Sequence, residues 1–238
     1  MTLPSAARGD AGDAGETADG AAADAGDAGF AGDTGDTSAG PGTVRPGGRT
    51  ARVRAAVLDA AGDMLAEHGF HALDLAEVAR RAEVGKTTVY RRWGTVAGLV
   101  ADLLTDMAEQ SLPRTETGSL EEDLLANAAL VRRTLSDPRQ GPLFKAVIAA
   151  ATGDARTAEA LHRFYAVRVA EWAPCVEEAV ARGELPRGTD AAEVVRAVSA
   201  PLYYRLLTSD APLDEAAARR AALAAVAAAR AGAFVRTP

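Results

Sequence analysis

Lys86-Thr87-Thr88-Val89-Tyr90-Arg91-Arg92-Trp93, written KTTVYRRW, is the stretch that decides how this 238-residue chain reads. Val89 and Trp93 stand four residues apart, on one side of a short helix, and a core contact needs no more than that pair. Lys86, Thr87, Thr88, Tyr90, Arg91 and Arg92 are left for another purpose, and no acid stands among them. A helix that merely faces water favours Glu and Lys pairs over Thr and an outward Tyr. Hydroxyls, an aromatic ring and two arginines suit a surface that meets phosphates and base edges. Lys86 also marks the helix N-terminus, where peptide N–H groups attract a phosphate.

Two further helical patterns precede this stretch. Val53, Ala56, Val57, Ala60, Ala61, Met64 and Leu65 recur at three and four residues and mark one buried face. Gly69 follows, placed to end that helix with a positive φ. Asp74 with Glu77 three residues on has capping-box spacing, and Leu75, Val78, Ala79 and Ala82 make the apolar face behind it. Glu83-Val84-Gly85 is then a tight connection into Lys86. Two short helices joined by a three-residue turn containing glycine predict a helix-turn-helix over residues 49–94.

The bulk composition is 48% hydrophobic, 25% charged and 5% aromatic, with alanine dominating and no alternating strand-length runs, so the chain reads as all-α. No apolar run is long enough to span a membrane and the first residues lack a signal-peptide core, which predicts a cytoplasmic protein. A single cysteine, Cys175, offers neither a disulfide framework nor a metal cluster, so no cofactor is expected. The net charge of −7 hides an uneven distribution. Residues 1–48 hold eight acids and two bases, whereas residues 49–93 hold eight bases and six acids. The local patch matters for a nucleic-acid partner. Residues 1–48, rich in Gly, Ala and Asp, are expected to form a disordered acidic tail that competes weakly with DNA for the basic segment. Its loose D-A-G repetition lacks the apolar position that calcium-binding repeats need.

Residues 95–238 read as a series of longer helices: Thr95–Gln110, Ser119 to about Ser136, Pro142 to about Gly153, Asp154–Arg182, Asp190 to about Asp210, and Asp214 to about Gly232. Pro142 is placed at a first helical position, and Pro174 and Pro201 lie inside their helices.

The run from Arg52 to Leu104 resembles the N-terminal domain of the tetracycline-repressor (TetR) family. The resemblance is carried by the apolar spacing of the first helix, Gly69-Phe70, Val78-Ala79, and the core of Val84, Lys86, Thr88, Val89 and Tyr90 followed by Trp93. Ala200 to Asp214 also resembles one group of C-terminal domains in that family. The resemblance implies a regulator, by default a repressor, that binds a palindromic operator on double-stranded DNA as a homodimer. A small-molecule effector would release it. DNA contacts would come from Arg49, Arg52, Asp74, Gly85, Lys86, Thr87, Thr88, Tyr90, Arg91 and Arg92. An effector pocket in a C-terminal ligand-binding and dimerisation domain would draw on Met107, Phe144, Ile148, His162, Phe164, Tyr165, Val169 and Trp172. The dimer would use the last two helices, where Val194, Val198, Leu202 and Leu206 repeat every four residues beside Leu223 and Val226. Paired recognition helices would meet half-sites about 34 Å apart.

Three positions depart from the family pattern. Asp74 replaces the usual Ser or Thr, which keeps the cap but brings a charge that repels phosphate. Gly85 replaces a usual Ser, and Val96 stands where a Lys commonly opens the fourth helix. These changes predict weaker phosphate anchoring, with Arg49, Arg52, Arg91 and Arg92 compensating, and leave a helical ligand-binding or interaction module without DNA binding as the alternative. An enzyme fits poorly. Glu159-x-x-His162 has the spacing of half a di-iron site but occurs once, and His68 with His71 lacks a third ligand.

Overall fold

The structure, a computed structural model, describes residues 46–111 and 113–236. The acidic segment ahead of residue 46, with the expectations placed on it, lies outside them. The described residues form nine α-helices and a single 3-10 turn, with no strand beyond an isolated bridge between Thr189 and Val235. The all-α expectation holds.

α1 (Pro46–His68) begins three residues earlier than the sequence pattern placed the domain start. Gly69 follows with φ 75°, and Phe70–Ala72 adds a 3-10 turn that no periodicity announced. α2 (Leu75–Arg81) is capped by Asp74, whose Oδ1 accepts from the Ala76 and Glu77 amides at 2.9 and 3.0 Å. The reciprocal half of the capping box is not made. Glu77 turns instead to Arg80 and Arg81, and the Arg80 hydrogen bonds hold its carboxyl down at about 2. α3 (Lys86–Trp93) follows a turn in which Glu83 takes φ 54°, a left-handed conformation unusual for a residue with a Cβ.

α4 (Val96–Glu109), α5 (Leu120–Ser136), α7 (Ala155–Ala181), α8 (Ala191–Thr208) and α9 (Glu215–Arg230) start where the sequence pattern placed them. Thr95, Ser119, Asp154, Asp190 and Asp214 each accept a backbone N–H from the first turn. α6 (Gln140–Ala151) corrects the sequence reading. Pro142 is its third residue rather than its first, because Asp137 Oδ1 accepts from the Arg139 and Gln140 amides and starts the helix earlier. Pro needs only a position whose N–H has no intrahelical partner, and the third residue meets that condition too.

Packing follows from the apolar stripes. α1 lies against α6 and α4, α4 against α7, and α9 against α5 and α8. One apolar core runs without a break from Val57, Leu65, Val78 and Val89 through Leu99 and Leu103 to Phe144 and Phe164. It therefore crosses the 94/95 boundary. A second core at the far end gathers Leu124, Trp172, Cys175, Val194, Val198 and Val226 from α5, α7, α8 and α9.

Candidate nucleic-acid interface

α3 divides as its sequence suggested. Val89 is fully buried and Trp93 is 8% exposed, while Tyr90 is 47% exposed and Lys86, Thr87, Arg91 and Arg92 face solvent. Thr88 is half-buried. Gly85 caps the helix without a side-chain hydrogen bond, so the leading amides of α3 gain no side-chain acceptor.

Charge pairing separates the bases by role. Arg80 and Arg81 are tied to Glu77 and Glu67, and Arg54 is tied to α4. Arg49, Arg52, Lys86, Arg91 and Arg92 make no ion pair among the described residues. Arg49, Arg91 and Arg92 line one groove with Thr88, Gly85 and a single acid, Glu83, joining the start of α1 to α3. Arg92 also lies 5.2 Å from the Trp93 ring centroid, a cation–π contact that holds it beside the helix. Five unpaired cations with hydroxyls and a tyrosine on the same small head form a surface suited to a duplex backbone and its base edges. Asp74 is exposed at the N-terminus of α2, and Asp74→Ser is expected to keep the cap while raising DNA affinity about two- to fivefold at low salt. Fluorescence anisotropy against a bound fragment measures it.

A buttress behind α3 escaped the sequence reading. Asp102 on α4 accepts from Trp93 Nε1 at 2.8 Å and from Arg54 Nε and Nη2 at 3.1 and 2.8 Å, and Arg54 also binds Asp106. Burial pushes the Asp102 carboxyl up, but the hydrogen bonds of Arg54 and Trp93 outweigh it and hold the group below its ordinary value. Gly98 brings α4 this close. A Cβ there would lie 2.4 Å from the Trp93 carbonyl oxygen. The available signal was an Arg inside an apolar stripe of the first helix and two acids four residues apart on another apolar helix. Partners 48 and 52 residues apart do not announce each other by spacing.

Farther from α3 a cavity of about 370 Å³ opens between α4, α5, α6, α7 and α8. Met107, Phe144, Phe164, Tyr165, Val169 and Trp172 line it as the sequence placed them. Ile148 and His162 do not. Ile148 packs from the side onto the first core, and His162 faces solvent, because its position on α7 turns away from Leu161 and Phe164. Asn127, Arg139, Arg168, Ser199 and Tyr203 also line the cavity and were not anticipated. Burial pushes the hydroxyls of Tyr165 and Tyr203 up, the latter to about 12, so both remain protonated at neutral pH.

Four of the six residues proposed for a dimer surface are used up within the chain. Val194, Val198 and Leu202 are fully buried and Val226 is 2% exposed. Leu206 and Leu223 are half-buried. A repeat every four residues marks the face most deeply packed, which here belongs to the chain's own core. The outward apolar residues are Ala200, Pro201, Tyr204 and Leu207 on α8, and Ala216, Ala224 and Ala227 on α9, set among the exposed Arg196, Arg219 and Arg220.

Fold and surface together define a helix-turn-helix regulator of transcription: a trihelical DNA-reading head on a helical body. Residues 57–103 match the family described as bacterial regulatory proteins, tetR family, and residues 114–225 match the tetracyclin repressor-like C-terminal domain. The chain belongs to the TetR family. It is 33% identical over 153 residues to the uncharacterised HTH-type transcriptional regulator YdeS of Bacillus subtilis strain 168, covering 64% of this chain and 77% of that one. It is 31% identical over 165 residues to the DNA-binding transcriptional repressor TetR of Mycobacteroides abscessus, covering 68% and 85%. Among solved structures, the TetR family transcription regulator SCO0332 superposes with a TM-score of 0.61 at 30% identity, covering 74% of this chain and 97% of that one. Among the described residues no helix is long and apolar enough to cross a membrane.

Proposed function

We propose that this DNA-binding transcriptional regulator is a homodimeric repressor that binds a palindromic operator and is released by a small molecule held in the cavity between α4 and α8. The observation that carries the DNA half is the cluster of unpaired Arg49, Arg52, Lys86, Arg91 and Arg92 around the exposed Tyr90. Lys86, Thr87, Thr88 and Gly85 at the helix start position the phosphate backbone, and Tyr90 and Arg91 reach base edges. The effector half is supported by a cavity lined by aromatic and polar side chains, and by α4. That helix lines the cavity through Leu103 and Met107 and holds α3 through Asp102. A ligand acts by preferring one placement of the heads, since equal affinity for both shifts nothing.

The dimer reading rests on the small outward patch in the C-terminal half of α9, where Ala224 and Ala227 allow a second helix to approach closely, beside Tyr204 and Leu207 of α8. An Ala224→Glu/Ala227→Glu variant is expected to run as a monomer in sedimentation with its helix content intact. A dimer that survives both charges would place the interface elsewhere. Selection of bound fragments from the source genome by the purified full chain, in parallel with a Tyr90→Ala/Arg91→Ala variant, tests the whole reading. A palindrome recovered by the parent chain alone supports it; failure of both across low and moderate salt overturns it.

A further inference from the structure

We propose that the cavity takes a flat apolar molecule bearing one acidic group, and that Arg139 reads that group by leaving a strap it forms across α1. The proposal deepens the effector reading given above and rests on it.

The body of the ligand follows from the walls. Phe144 meets Phe164 at a tilt with 5.4 Å between centroids, Phe164 meets Tyr165 edge to face at 5.4 Å, and Tyr203 closes the chain against Tyr165 and Phe144 at 5.4 and 6.2 Å. A cavity of about 370 Å³ walled by rings favours a flat molecule of two or three rings. Trp172 and Asn127 are 2% and 4% exposed, and the Trp172 Nε1–H and Asn127 Oδ1 have no hydrogen-bond partner among the described residues. A buried donor without an acceptor is costly, so a ligand that brings an oxygen is favoured over a plain hydrocarbon.

The charge follows from the lining. Among the described residues no carboxylate lines the cavity, and its two charged lining residues are Arg139 and Arg168. Arg168 is matched by Glu171 one turn along its own helix. Arg139 is matched only across the fold. Its Nε donates to Asp63 Oδ1 at 2.5 Å and its Nη2 to the Asp59 carbonyl at 2.8 Å, with the Asp59 carboxylate 3.5 Å away. All three acceptors belong to α1, the first helix of the DNA-binding head. Gly62 makes the seat. A Cβ at that position would lie 2.8 Å from Arg139 Nη2 and 3.2 Å from Cζ, so glycine lets the guanidinium lie this close to the helix and a larger residue would move it outward.

Arg139 is 43% exposed, and an ion pair so open to water exchanges at little cost. A ligand carboxylate or sulfonate at the cavity mouth offers the guanidinium a drier, two-point partner. Each acid seated there removes one tie between α6 and α1. By reciprocity, weakening the strap from the α1 side must raise affinity for the acid.

Two dyes that differ by a single sulfonate test this on the full chain: 8-anilinonaphthalene-1-sulfonate and neutral N-phenyl-1-naphthylamine, titrated by fluorescence. The sulfonate is expected to bind at least about tenfold tighter than the neutral dye. Arg139→Gln should erase that preference while leaving the neutral dye within about twofold, and Asp63→Asn should tighten the sulfonate by about threefold or more. The Asp63 variant moves opposite to any general loss of folding, which keeps the outcome readable if Arg139→Gln is unstable. Ser199→Trp, which fills the cavity, should block both dyes. Equal binding of the two dyes, both blocked by Ser199→Trp, leaves the cavity standing and overturns the acidic ligand. An unchanged sulfonate affinity in Asp63→Asn overturns the strap. If neither dye binds, or Ser199→Trp blocks neither, the effector reading of the cavity falls together with the proposal.

Discussion

A Tyr90→Ala/Arg91→Ala variant is expected to lose sequence-specific DNA binding and keep its fold. Both side chains project from α3 into solvent, Tyr90 at 47% exposure, and neither takes part in a hydrogen bond or ion pair within the chain among the described residues. Removing them leaves Val89 and Trp93, the residues that seat the helix, in place. A side chain that reads a base edge contributes about 1–3 kcal/mol of discrimination, so the pair should cost about 2–6 kcal/mol, or roughly 30-fold to 10⁴-fold in operator affinity. If Arg91 meets a phosphate instead, the salt slope should fall by about 0.9 and the loss should be uniform across sequences. Anisotropy titration at two salt concentrations separates these contributions, and an unchanged melting temperature confirms that the head is intact. Retained affinity within about threefold would remove α3 from the reading surface.

The second large effect concerns a residue that faces away from the DNA surface. Asp102→Ala is expected to destabilise the chain and weaken DNA binding together. The substitution leaves the Trp93 indole N–H without its acceptor and strips Arg54 of the Asp102 carboxylate, leaving it Asp106 and a long bond to the Asp102 carbonyl. Each partly buried donor left unsatisfied costs about 1–3 kcal/mol, and about 3 kcal/mol in total lowers the melting temperature by roughly 6–12 °C for a chain of this size. Trp93 ends the recognition helix, so α3 loses its tie to α4 as well. Asp102→Asn keeps an acceptor for Trp93 and removes the charge that Arg54 needs. The pH dependence has a definite sign. The folded Asp102 titrates below its unfolded value, so its contribution is complete above about pH 4 and disappears as pH falls through the depressed folded value. The gap in melting temperature between the parent chain and Asp102→Asn should therefore close in acid. A gap that persists unchanged at low pH would place the stabilisation elsewhere than in the charged pair.

Legibility in the sequence followed the range of the interactions. Thr95, Ser119, Asp154, Asp190 and Asp214 act on amides three residues away, and each helix they cap began at the expected place. α3 was legible for the same reason. Its buried and exposed faces are set by four-residue spacing and by which residue types tolerate water. The cavity was half legible, because aromatic residues at helical spacing mark a buried face without saying whether a core or a hollow lies behind it. Phe144 and Phe164 proved to line the cavity, while His162 turned to solvent. The stripe of Val194, Val198 and Leu202 was read correctly as apolar and assigned to the wrong partner. Depth of burial does not distinguish the chain's own helices from a second copy's.

The sequence by itself determined the number and limits of most helices, the helix-turn-helix, and the side chains that α3 turns outward. All of these depend on contacts within a turn or two of the chain. Only the tertiary structure decided that Asp102 ties Trp93 to Arg54, that Gly62 seats Arg139 against α1, and that α8 and α9 hide their valines from a partner. Those contacts join residues that are 48 or 76 positions apart, or whole helices whose relative rotation sets which face remains exposed. Helical periodicity fixes a face relative to its own axis, and packing alone fixes what that face meets.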